Sequence, residues 1–134
     1  MKCSVVNLNE NGQPNGVADK PPIQVCKFVV FASPEEQILI FGPVRQYHYH
    51  AALVRSFCQL REIPSGWEKQ PDLYQIYDRA YKVSGGGWLD LVVENKSILF
   101  YDRSTAYGGF DPDAIIEIFD QCAGYSEYKL LFQT

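Results

Sequence analysis

The run Val25–Ala32 constrains the fold more than any other segment. β-Branched and aromatic residues dominate it, so it reads as a strand buried on both faces. Such a strand needs packing on each side of its sheet. The chain has 134 residues, 46% of them hydrophobic, enough for one domain with one real core.

Around this strand the elements follow from spacing. Residues 9–22 are rich in Asn, Gly, Pro and Gln, so residues 1–22 are expected to form a flexible N-terminal arm, with the domain over 23–134. Ser33-Pro34-Glu35-Glu36 reads as a turn and Gln37–Phe41 as a second strand. Val44, Tyr47, Ala51, Val54 and Cys58 recur at helical spacing and predict a helix from about Val44 to Leu60. Residues 64–74 read as a long connection carrying Trp67, and Tyr74–Tyr81 fits strand and helix equally weakly.

Tyr81–Ser84 looks strand-like up to Gly85-Gly86-Gly87, and those glycines suit a tight turn or a bulge. Beyond them Leu89, Leu91 and Val93 alternate with their neighbours. Asn95-Lys96 is a two-residue turn candidate, and Ser97–Asp102 returns as the second arm of a hairpin. Asp111-Pro112-Asp113 is a strong helix start, with Ile115, Ile116, Phe119 and Cys122 as the apolar face and Gly124 as the stop. Tyr128–Phe132 is a final strand. The order predicts an α+β domain: a mixed, mostly antiparallel sheet flanked by two main helices.

A formal net charge of −4 argues against a general nucleic-acid binder, which needs a basic surface. No stretch is long enough to span a bilayer, and Lys2 and Cys3 lead into no apolar signal-like segment. Cys3, Cys26, Cys58 and Cys122 are widely spread and form no CxxC pair. The expectation is a cytoplasmic protein with reduced thiols; nothing in the sequence asks for a dimer, so a monomer is expected.

Chemistry concentrates in two places. Tyr47-His48-Tyr49-His50-Ala51 holds a histidine on the flank of the predicted helix, at the border of core and solvent. Gly85-Gly86-Gly87 and Ser104-Thr105-Ala106-Tyr107-Gly108-Gly109 supply small residues whose amides can approach an anion. Together they imply a small phosphoryl-handling site with a titratable base. Two other readings fail. His48 and His50 diverge on a helix and lack a third histidine, so a metal site is not expected. The triple glycine lacks both the Lys-Ser/Thr of a phosphate-binding loop and a GxGxxG pattern. Taken alone, Lys27 also fits a surface lysine on an edge strand, and Trp88 a packing residue.

In combination these pieces resemble the janus/ocnus family of protein histidine phosphatases. Lys27-Phe28-Val29-Val30, Tyr49-His50-Ala51, the triple glycine, the hairpin and Ser104-Thr105-Ala106-Tyr107-Gly108 occur in the family's order, and the likeness covers about Ile23 to Phe132. It implies hydrolysis of phosphohistidine, in proteins or small phosphoramidates, without metal or other cofactor. By position, His50 matches the catalytic histidine, Lys27 the lysine that helps hold phosphate, and Ala51, Ser104 and Ala106 the small-residue backbone at the phosphate oxygens. Thr105 belongs to the same binding loop.

The chain also departs from the pattern. Trp88 stands where the family carries an arginine after the triple glycine, and the connection before the glycines is longer. One charge-assisted contact is worth roughly 1.5–3 kcal/mol. Its loss corresponds to about 10–100-fold in rate unless Arg45 or Arg103 substitutes. Two functions from different classes follow: a phosphatase with His50 as general base or nucleophile, and a phosphate- or phosphoprotein-binding module of the same fold without turnover.

Overall fold

The computed structural model describes residues 1–8 and 23–133. Strand β1 is Lys2–Asn7, β2 Ile23–Ala32, β3 Glu36–Pro43, β4 Ser65–Lys69, β5 Leu73–Ile76, β6 Lys82–Val92, β7 Ser97–Tyr101 and β8 Lys129–Phe132. Helix α1 is His50–Arg61 and α2 is Pro112–Asp120. Six strands form one sheet in the order β1-β3-β2-β6-β7-β8, and β4 pairs with β5 apart from it. The neighbours of β2 and the β6–β7 pair are antiparallel, whereas β1 and β8 add to the edges in parallel. The domain is α+β, as the element order predicts.

Val25–Ala32 lies inside β2, an interior strand, and its two faces feed two cores. Cys26, Phe28 and Val30 join Phe100, Ile115 and Ile118 beneath α2. Val29 and Phe31 join Leu53, Val54 and Phe57 of α1. Strand alternation thus puts odd-numbered β2 residues on the α1 side, Lys27 among them. Fully burying a large apolar side chain such as Phe28 contributes about 1.5–3 kcal/mol.

Residues 2–7 are a correction to the expected arm. They pair with β3 from Lys2↔Glu36 to Asn7↔Phe41, and Cys3 and Leu8 are buried in opposite cores. The segment is too short to announce itself and gains its strand character from the edge of β3. Residues 9–22, the rest of that arm, lie outside the described residues.

The first helix starts six residues later than its spacing predicts. The amides of Gln46 and Tyr47 both donate to the Pro43 carbonyl (3.0 Å each), closing a turn. Tyr47 is buried because its ring lies over Gly42, where a Cβ would sit 2.5 Å from it. It keeps a helix-like interval to Ala51 without being helical. His50 is therefore the first residue of α1 rather than one within it.

Two further differences concern the middle of the chain. The connection expected over residues 64–74 contains β4 and continues into β5, braced by an edge-on Trp67–Tyr74 ring pair. The triple glycine lies within β6 with a register shift opposite Val30/Phe31, so of its two readings the bulge is met and the turn is not. The hairpin forms as expected, but its connection is the four residues 93–96 and not Asn95-Lys96 alone, with the Lys96 amide donating to the Val93 carbonyl at 3.2 Å. The Asp111 cap follows expectation: its carboxylate accepts the Asp113 amide at 3.0 Å.

Candidate functional site

The N-terminus of α1, the middle of β2 and β6 and the loop after β7 meet at a cleft of about 540 Å³. Lys27, His50, Thr105 and Ala106 line it together. The other two predicted positions do not line it. Ala51 and Ser104 are fully buried.

His50 is held by its ring. Nε2 lies 2.9 Å from the Gly87 carbonyl oxygen, and only 8% of the residue is exposed. A carbonyl can only accept, so Nε2 carries the hydrogen and the neutral ring keeps its lone pair on Nδ1. Burial pushes the His50 pKa below its ordinary value. The Gly87 carbonyl opposes this, the Lys27 charge adds to it, and Asp102 opposes it weakly. The ring is thus neutral at physiological pH and able to accept a proton.

The glycines make this contact possible. A Cβ on Gly86 would lie 2.5 Å from the Phe28 carbonyl oxygen and 3.3 Å from the His50 ring. At Gly85 it would lie 2.0 Å from the Gly109 carbonyl oxygen. The strand and its neighbours close to distances that only a residue without a side chain allows.

Lys27 is not on an edge strand. Its Cα partner on β6 is Trp88, and its ammonium lies 5.2 Å from the centroid of the indole. Nζ donates to the His48 carbonyl oxygen, just before α1. Burial lowers its pKa. Trp88, expected only to pack, also lines the cleft.

Ser104 organises the loop instead of contacting the cleft. Its amide donates to the Gly86 and Gly108 carbonyls (3.1 and 3.2 Å), and its carbonyl accepts the Gly108 amide. Its hydroxyl accepts the Tyr107 amide at 3.0 Å. The Gly86 amide in turn donates to the Gly108 carbonyl. This leaves Thr105 and Ala106 exposed at the tip, and among the described residues no acceptor takes either of their amides. Gly108 closes the turn with φ 88°, in the left-handed region.

The cleft also holds residues the motifs did not single out as site positions. Arg103 lines it, one residue beyond β7's exit turn, where the sequence named it only as a stand-in for the missing arginine. No carboxylate pairs with its guanidinium among the described residues. Asp102 has φ 59°, and its carboxylate accepts the Arg103 amide at 2.9 Å. Asp72, beside β5, adds a second carboxylate. Arg45 is not part of the lining. Asp102 and Arg103 directly precede the Ser104–Ala106 loop that the sequence does mark, whereas Asp72 comes from the connection between β4 and β5, which no motif marks.

Among the described residues no three His, Cys, Asp or Glu side chains gather as a metal site. Cys3, Cys26, Cys58 and Cys122 form no disulfide with one another. No described helix is long and apolar enough to cross a membrane. No protein-family model matches the chain, and no curated protein does. The family resemblance therefore rests on the quoted motifs.

Proposed function

We propose that the protein is a metal-independent phosphatase of the janus/ocnus type that hydrolyses the P–N bond of phosphohistidine. The observation that carries this reading is the His50 Nε2 contact to the Gly87 carbonyl, which reserves Nδ1 for chemistry beside Lys27, Thr105 and Ala106. The amides of Thr105 and Ala106 and the charges of Lys27 and Arg103 would hold the phosphoryl oxygens. Phosphoryl transfer needs little else, since its loose transition state spreads charge over those oxygens.

Two routes use the same nitrogen. As a general base, Nδ1 takes a proton from water while the new O–P bond forms and the P–N bond breaks. As a nucleophile, Nδ1 bonds to phosphorus, the substrate imidazole leaves, and water then cleaves the new P–N bond. In either route the leaving imidazole departs once it has gained a proton.

Release of phosphate from phosphoramidate and from a histidine-phosphorylated protein, measured in the presence of chelator, tests the reading. Wild type is expected to be active and His50→Ala to fall to background. Background release by wild type would end the enzyme reading. A second reading, a binding module without turnover, is favoured by Trp88 standing at the cleft in place of an arginine. It requires that phosphate raise the melting temperature of a catalytically silent wild type.

A further inference from the structure

The Thr105–Ala106 tip is held on both sides. On one side Ser104 bonds to β6 through the Gly86 carbonyl. On the other stands Tyr107, whose ring packs against the α1-side core. Its hydroxyl accepts the Tyr74 amide at 3.0 Å and donates to the Tyr74 carbonyl at 2.9 Å. One phenol thus satisfies both main-chain groups of a β5 residue. Strand β5 pairs with β4 in a sheet of two, so on its other edge the Tyr107 hydroxyl stands in for a further strand. Tyr74 is a firm base for this clasp: it is buried, its ring meets Trp67 edge-on, and its own hydroxyl lies 2.9 Å from that of Ser65. The Tyr107 amide donates to the Ser104 hydroxyl at 3.0 Å, so Tyr107 ties the tip to two separate parts of the fold.

We infer that Tyr107 is a positioning residue: through its hydroxyl, the β4–β5 pair holds the Thr105–Ala106 tip in the form that receives the phosphoryl oxygens. This role rests on the reading of the cleft as a phosphoryl site. Tyr107 does not line the cleft, so it acts on an anion only through the tip beside it. A phenol can donate one hydrogen and accept another, and a phenylalanine ring can do neither. Without the hydroxyl the Tyr74 amide and carbonyl lose their partner, and the exposed tip is fixed from the Ser104 side alone. Donor amides that wander must be ordered again each time an anion binds, and small misplacements of such groups are costly. The coupling also runs backwards. What the clasp does for the anion, the anion does for the clasp.

Affinity for inorganic phosphate, read by calorimetry, tests this in wild type and Tyr107→Phe, with the melting temperature measured beside it. Folded Tyr107→Phe should lose about 10-fold in phosphate affinity. Asp111→Ala removes the α2 cap on the opposite face of the sheet and should bind phosphate as wild type does, which separates positioning from mere loss of stability. Hydrogen exchange in wild type covers the case of a misfolded Tyr107→Phe. Phosphate should slow exchange of the Tyr74 amide, although Tyr74 lies outside the cleft lining. Unchanged phosphate affinity in folded Tyr107→Phe, an equal loss in Asp111→Ala, or a Tyr74 amide indifferent to phosphate overturns the role of Tyr107 and leaves the cleft reading standing. Absence of phosphate binding in wild type would end the phosphoryl-site reading and this role with it. None of these measurements requires turnover, so silence toward phosphoramidate would count against the phosphatase reading alone.

Discussion

The Lys27 ammonium lies over the Trp88 ring, its cross-strand partner, 5.2 Å from the centroid. Trp88 therefore acts on the cleft's own lysine. A cation over an indole gains about 0.5–1 kcal/mol at an exposed site and more when desolvated. Trp88→Ala should free the lysine to sample other rotamers and raise KM a few fold, with kcat less affected. Trp88→Arg should restore a phosphate contact but repel Lys27. Steady-state kinetics of both variants on phosphoramidate decide whether the indole or a second charge suits this cleft better; an unchanged KM in Trp88→Ala would remove the ring from substrate binding.

Lys27→Met should lower kcat/KM by about 10–100-fold, the worth of one charge-assisted contact. Its effect on unfolding should be small, since the side chain is only half-buried. A melting temperature that falls along with activity would assign Lys27 to the fold instead.

The pH profile has a definite sign. In the proposed reaction His50 must be neutral, and its pKa lies below the ordinary histidine value because of burial. The acid limb of kcat/KM should therefore fall at a pH below about 6.5. Lys27 adds to the lowering and Asp102 opposes it. The limb should move up in Lys27→Met and down in Asp102→Asn, which an NMR titration of the His50 ring would report directly. Stability follows the same group. The unfolded chain takes up a proton first as pH falls, so His50's contribution is present above the unfolded pKa and lost as pH falls through the folded one. Shifts in the opposite directions would mean that the ring does not feel these two charges.

Gly86→Ala should destabilise the fold by about 1–3 kcal/mol, the usual cost of forced overpacking. The methyl group would meet the Phe28 carbonyl and press on the His50 ring. Activity should fall further than the folded fraction does. Urea unfolding beside a kinetic assay separates the two effects, and an unperturbed variant would contradict the packing described here.

Asp111→Ala should cost about 1 kcal/mol by uncapping α2 while leaving kcat/KM unchanged, because α2 lies under the opposite face of the sheet. Loss of activity at full folding would tie α2 to the cleft.

Local chemistry was readable where it acts alone. The apolar run of β2, the β6–β7 hairpin and the Asp111-Pro112 start each carry their own geometry and stand as read, although the hairpin's connection takes four residues instead of two. Elements that depend on a distant partner were not readable. Residues 2–7 become a strand only beside β3, and Tyr47 keeps helical spacing while packing on Gly42 from a turn. The candidate site divides in the same way. His50, Lys27, Thr105 and Ala106 sit in recognisable segments and converge on the cleft. Ser104 and Ala51 belong to the same segments but point their side chains into the interior, which a motif cannot distinguish. Arg103 directly precedes the Ser104–Ala106 loop, whereas Asp72 reaches the cleft from the connection between β4 and β5, and no spacing in the chain records its approach.

Gly86 and Gly87 are consecutive in β6. The first exchanges main-chain bonds with Ser104 and Gly108, and the second receives the His50 ring. The Thr105–Ala106 tip and the imidazole thus hang from a single rail of backbone, one residue apart. Any shear of that strand carries both along, so their spacing can survive substitution of almost every side chain around them. An architecture of this kind lets the surroundings of the cleft diversify for new partners while the reacting geometry stays the same.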